Sequence, residues 1–211
     1  LQFDNSGTLD VGPADMLAQT GTISIDNTGA LRVGGAGTIT AVDFDSSGGS
    51  VDVNGTITVA DGQTIGNTGD SVMTLAGALE TGATGDFANS ATVVVDGAGA
   101  TTSNTLTNSG SFTVAAGASF EAGGATTNAG SGDITVTGEM VLNGGMTNEG
   151  DIDVAGGDLI LDAMPDGAVL LTNAGTLDVT AGGSVAGDIG DTLTLVNVGT
   201  LTTAGAGTVI D

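Results

Sequence analysis

The chain has no cysteine, histidine, tryptophan or tyrosine, and Arg32 is its only basic residue. Without cysteine there is no disulfide and no thiol chemistry, and without histidine no imidazole base or imidazole metal site. These gaps remove most nucleophile–base pairs. A pair of carboxylates can in principle hydrolyse a glycoside, but a sugar cleft normally offers aromatic platforms, and here no Tyr or Trp exists. No enzymatic activity is expected. With no lysine, 25 acidic residues leave a formal charge of −24 at pH 7. That excludes nucleic acid and anionic lipid as partners of a basic surface. No stretch of 18 consecutive apolar residues occurs, so no membrane-spanning helix is expected. No basic segment followed by an apolar run reads as a signal peptide.

Glycine is plentiful, at 39 residues, and its placement carries the first positive signal. A tripeptide Asn-x-Gly returns about every 21 residues, at Asn5, Asn27, Asn67, Asn108, Asn128, Asn148, Asn173 and Asn197, with degenerate copies at Ser46 and Asn89. A fixed period in this range marks a stacked repeat. Two residues before each marker stand Phe3, Ile25, Phe44, Ile65, Phe87, Leu106, Thr126, Met146, Leu171 and Leu195, apolar except for Thr126. After it comes an apolar-x-apolar pair such as Leu9 and Val11, Val93 and Val95, or Ile152 and Val154. Three copies carry one or two extra residues before resuming, at Val51, Met73 and Ile134. A looser pair follows in most copies, as in Ile57 and Val59 or Leu159 and Leu161. Alternation with period two is the pattern of a strand with one buried face.

A coil of this kind cannot bury its own apolar face and must stack on a neighbour. The expected fold is therefore an all-β, parallel β-solenoid of about ten coils, each of about 20–25 residues. It forms a single domain over residues 1–211, with no helix. All five phenylalanines fall at positions this register assigns to the interior. The Asn-x-Gly corners are expected to use the left-handed conformation that Asn tolerates and Gly adopts freely. Their side chains would form an amide ladder down one corner. Both ends fall inside the repeat pattern, which leads us to expect a segment of a longer chain or a fibre subunit.

The same register sorts the charges. The outward residue of the first post-marker strand is, coil by coil, Asp10, Arg32, Asp52, Thr74, Val94, Thr113, Thr135, Asp153, Asp178 and Thr202. Asp153 and Asp178 should stack directly, with Asp151 beside them and Asp133 one coil earlier. Carboxylates stacked about 5 Å apart repel, and calcium, which takes six to eight oxygens, would relieve that repulsion. Asp133, Asp151, Asp153 and Asp178 are therefore the candidate metal ligands, and calcium the one cofactor suggested. The Gly-Gly-x-Gly-x-Asp calcium repeat is absent: Gly34-Gly35-Ala36-Gly37-Thr38-Ile39 lacks the Asp. That glycine run is also no phosphate cradle, because neither Lys nor a helix follows it. The Thr-x-Thr pairs Thr38–Thr40 and Thr56–Thr58 suggest an ice-binding rank, but others, such as Thr105–Thr107 and Thr192–Thr194, fall at different places within the coil. Aligned threonine ranks of the ice-binding kind are not expected.

The run from Asn148 to Leu161, and that from Asn108 to Asn128, resemble the repeat of filamentous haemagglutinin-type adhesins and of autotransporter passenger domains. In that style an Asn-x-Gly turn precedes an apolar-x-apolar strand, a Gly turn and a second strand. The resemblance implies an exported bacterial protein, extracellular or on the cell surface, acting as adhesin, stalk or biofilm matrix fibre. The expected function is a non-enzymatic structural protein that self-assembles into a fibre or surface layer. The alternative is an adhesin stalk presenting a binding tip that lies outside this chain. The expected partners are further copies of the chain, end to end or side by side. The resemblance adds glycans or the surfaces of host or neighbouring cells.

Overall fold

In the computed structural model, which describes residues 2–13, 15–18, 23–82, 84–97, 102–163, 167–206 and 208–210, every regular element is a β-strand. The strands form three parallel sheets of ten, and each coil contributes one strand to each sheet. The first sheet holds the strands that end at the markers, from Gln2–Asn5 to Thr192–Asn197. The second runs from Thr8–Val11 to Thr200–Ala204, and the third from Met16–Ala18 to Val209–Ile210. The chain is thus a parallel β-solenoid of ten coils, as the period predicts.

Pairing follows the expected register residue for residue. Phe3 opposes Ile25, Ile25 opposes Phe44, and the column continues through Ile65, Phe87, Leu106, Thr126, Met146, Leu171 and Leu195. The extra residues before Val51, Met73 and Ile134 are absorbed in the corners, so those strands still pair in step. Inward residues of all three sheets meet in one continuous core, from Val11 to Val185. Each fully buried Val, Leu, Ile or Phe contributes about 1.5–3 kcal/mol relative to exposure. Coils five and six are tied across the core by aromatic contacts. Phe112 packs edge-on against Phe87, with ring centroids 6.1 Å apart, and against Phe120 at 4.8 Å. Phe3 is half-buried and packs against the same core.

The glycines at the corners have a different reason from the one the sequence suggests. None of the markers has positive φ: among the described non-glycine residues only Ala181 does, and of the glycines two after a marker only Gly69. What requires glycine is closeness. A Cβ placed on Gly29, Gly110, Gly150, Gly175 or Gly199 would land well under 3.0 Å from a backbone carbonyl of the preceding coil. At these five corners a methyl group has no room, whereas Gly48 and Gly130 have no neighbour closer than 3.6 Å; the left-handed turns expected at the markers are found only at Gly69.

Candidate functional site

The marker side chains point inward, and from Asn27 to Asn173 each has at most 2% of its surface exposed. A buried amide must be hydrogen-bonded to offset its desolvation, and the stack supplies the partners. Asn5 Nδ2 donates to Asn27 Oδ1 at 2.7 Å. The chain of bonds resumes from Asn67 through Asn89, Asn108, Asn128, Asn148 and Asn173 to Asn197, at 2.6–2.8 Å. The second hydrogen is used as well. Asn5, Asn67, Asn89, Asn108, Asn128, Asn148 and Asn173 also donate to the backbone carbonyl that opens the next coil's second-sheet strand, such as Asp151 O for Asn128. Each amide therefore fastens its corner to the following coil, and every amide–amide bond points the same way along the axis. Asn89, in the degenerate Asn-Ser-Ala copy, is a full member of this ladder.

One step is broken. Ser46 accepts from Asn27 Nδ2 at 3.2 Å, but its hydroxyl is too short to reach the next marker and pairs with Ser71 Oγ at 2.7 Å instead. Asn67 Oδ1 is left buried with no donor. The sequence shows Ser46 as a degenerate copy; it does not show that Ser71, in the corner one coil on, takes over as partner.

The carboxylate columns fall where the register puts them. Asp133 opposes Asp151, and Asp153 opposes Asp178. Asp133, Asp151 and Asp153 are exposed, whereas Asp178 is half-buried with Oδ1 enclosed and unpartnered. The strand geometry thus makes two pairs. Among the described residues, no three carboxylates converge on one point as a shared metal would require. A second acidic stack, on the first sheet, is one that sequence reasoning missed. Asp4, Asp26 and Asp45 occupy successive outward positions, with Asp43 on the same strand as Asp45. Partial burial, then the charges of Asp43 and Asp26, push the Asp45 carboxyl above its ordinary value. The signal of this stack stands one residue before the first three markers, between the marker and the apolar position two before it that set the register.

Two other aspartates act as anchors. Asp191 accepts from the backbone N–H of Ala163 at 2.6 Å and of Gly167 at 2.7 Å, and these bonds hold its carboxyl below the usual range. Asp61 accepts from both the hydroxyl and the backbone N–H of Thr84, each at 2.8 Å, with the same effect.

Threonine ranks do form, in part contrary to expectation. Thr38 and Thr40 oppose Thr56 and Thr58 on the third sheet. On the first sheet Thr107, Thr127, Thr147 and Thr172 stack in single file over four coils. The Thr-x-Thr motif hides this second rank, because its members share a coil position and not a sequence spacing. Two shallow depressions lie on the described surface. One of about 370 Å³ lies over Gly117, Gly138, Gly156, Glu139 and Asp158, and one of about 350 Å³ over Asp188 and Asp191. No helix among the described residues is long and apolar enough to cross a membrane. No family model, no curated protein and no solved structure matches this chain.

Proposed function

We propose that this chain is a structural rod of an extracellular or cell-surface fibre, built to extend by adding coils, with no catalytic role. The observation that carries the reading is the one-directional amide ladder. Any coil joining either end, whether from the same polypeptide or from another copy, meets the same corner with the same polarity. Such a head-to-tail contact is heterologous and does not close, so it propagates as a filament. Ten coils at the strand spacing make a rod about 45 Å long, and each coil could serve as the next one's neighbour. The resemblance to filamentous haemagglutinin-type adhesins supports an exported bacterial setting. The high negative charge supports a saline or calcium-containing exterior, where counter-ions weaken repulsion between rods.

Negative-stain electron microscopy of the purified chain, with calcium and then with a chelator, tests this. Filaments of uniform width are expected. Filaments that vanish on chelation place a cation between acidic surfaces. Isolated short rods in both conditions overturn the fibre reading and favour the passive stalk of an adhesin.

A further inference from the structure

The charge is spread unevenly over the three sheets. In coils six to ten the first-sheet strands are Thr105–Asn108, Thr126–Asn128, Met146–Asn148, Ala168–Asn173 and Thr192–Asn197, and none contains a charged residue. Over the same coils the second sheet carries Asp133, Asp151, Asp153 and Asp178, and the third Glu121, Glu139 and Asp158. Charge-free stretches on the other two sheets run for only three strands, Val72–Leu75 to Ser111–Val114 on the second and Met16–Ala18 to Thr56–Val59 on the third.

The long neutral face also has the chemistry of a contact surface. Its centre is the file Thr107, Thr127, Thr147, Thr172, continued by Val196. None of the four hydroxyls bonds within the described protein. Three large apolar side chains stand out beside them: Leu170 is 46% exposed, Val196 43% and Val198 77%. Among the described residues, carboxylates stand at the rims of this face, with Glu149 on one corner and Asp162, Asp188 and Asp191 on the other.

We infer that this face is where a second copy of the chain packs side by side. The argument is electrostatic. Two rods of charge −24 repel, and packed sheets lie about 10 Å apart, close to the Debye length of about 8 Å at physiological salt. Of the three sheets, the first sheet of coils six to ten gives a copy the longest landing that meets no opposing carboxylates. A face meets itself about a two-fold axis: an axis along the rods would set the Asp4, Asp26 and Asp45 stacks of the two copies against each other, whereas one across the rods runs them antiparallel and overlaps only the neutral halves. Thr147 is third in a file of five, so the axis passes beside it. Leu170 and Val196 of one rod then cover the methyl groups of Thr127 and Thr107 of the other.

The area sets the strength. Five strands at about 4.8 Å, each about 15 Å long, give roughly 300–400 Å² per rod, half the roughly 800 Å² of a stable specific interface. The contact is weak between single rods and strengthens with salt. It becomes consequential when aligned rods present many copies at once. The inference deepens the self-assembly reading, which it takes as its setting, by assigning the lateral surface.

Sedimentation equilibrium of the chain at low and high sodium chloride, with electron microscopy of the same samples, tests it. Rods, single or joined end to end, that lie apart at low salt and pair side by side at high salt are expected. Thr147→Asp sets two like charges at the axis and should weaken the dimer at least tenfold, while Thr113→Asp, on the second sheet, should leave it unchanged. An equimolar mixture of Thr147→Asp and Thr147→Lys should dimerise better than either alone, even at low salt. Rods that lie apart at every salt concentration overturn the inference, as does equal weakening by Thr147→Asp and Thr113→Asp. Filaments that survive Thr147→Asp with unchanged lateral association also refute the face, while leaving end-to-end growth intact.

Discussion

Asn108 gives the strongest test of the ladder, because a change of pH should reverse the order of two variants. It is fully buried. Its Oδ1 accepts from Asn89 Nδ2 at 2.8 Å, and its two amide hydrogens serve Asn128 Oδ1 at 2.8 Å, Gly110 O at 3.0 Å and Asp133 O at 3.3 Å. Asn108→Ala deprives Asn128 Oδ1 of its donor, and a buried acceptor left unpaired costs about 1–3 kcal/mol. Asn89 keeps its bond to Ser111 O, so its loss is smaller. The expected total is about 2–4 kcal/mol. Asn108→Asp keeps the shape but, when ionised, turns an oxygen toward three acceptors in a buried corner. Desolvation and those acceptors raise its folded pKa above the unfolded value of about 3.9. A rise of about three units corresponds to about 4 kcal/mol. A raised folded pKa means that stability is fully present below the unfolded pKa and is lost as pH climbs through the folded one. When protonated, the carboxyl O–H can donate to Asn128 Oδ1 and restore one bond. Near pH 7 the Asp variant should therefore be the less stable of the two, and near pH 3 the more stable. Urea unfolding followed by circular dichroism at both pH values measures this. The other carboxylates are common to both proteins and cancel in the difference. If the order is the same at both pH values, the ladder is not what holds this corner.

Other predictions rest on separate parts of the molecule. Ser46→Asn combined with Ser71→Ala should close the broken step by giving Asn67 Oδ1 a donor. A gain of about 1 kcal/mol in unfolding free energy is expected, and a double variant no more stable than the parent refutes it. Val154→Asp buries an unpaired charge in the core, where Val154 is wholly enclosed, and should cost several kcal/mol. Thr113→Asp, which points outward with Val94 and Thr135 as neighbours, should change stability by about 0.5 kcal/mol or less. Comparable losses in thermal melts of the two would contradict the inward–outward assignment. For Asp191 the sign runs the other way from the buried Asp variant at position 108. Its folded pKa is lowered, so its contribution is present above the unfolded pKa and disappears as pH falls through the folded one. Asp191→Asn should speed amide exchange at Ala163 and Gly167 at neutral pH. As pH falls through that lowered folded pKa the parent should come to match the variant; equal exchange at neutral pH would show that this carboxylate anchors nothing.

Much of the fold was legible because a solenoid repeats one decision ten times. The position two before each marker predicted the column from Phe3 to Leu195, and the observed pairing reproduces it, including Thr126, whose buried hydroxyl has no partner. Insertions before Val51, Met73 and Ile134 could be passed over because the apolar pattern on either side fixed the register again. A one-residue slip would have turned the whole apolar set outward. The second and third sheets were readable to the extent that their alternation was clean, as at Met140 and Leu142 against Leu159 and Leu161.

What the sequence hid depends on distances between coils. The closeness of the stacked corners, and hence the need for glycine at Gly175 or Gly199, follows from backbone packing across some 24 residues and has no local signature. The same holds for the Asp4–Asp26–Asp45 stack and the Thr107–Thr172 file, which are columns of the folded object and not motifs of the chain. These two columns are continuous, because both occupy the outward position just before the marker. Along that single line the rod changes from stacked carboxylates in its first three coils to neutral threonines in the sixth to ninth coils and Val196 in the tenth. Like charges stacked at strand spacing disfavour the coils that hold them, and at Asp45 the charges of Asp43 and Asp26 add to the burial that raises its carboxyl. On the first sheet, coils six to ten carry no such stack. A rod graded in this way resists lateral contact at one end and permits it at the other, so side-by-side association is biased toward a staggered, antiparallel overlap of the neutral halves.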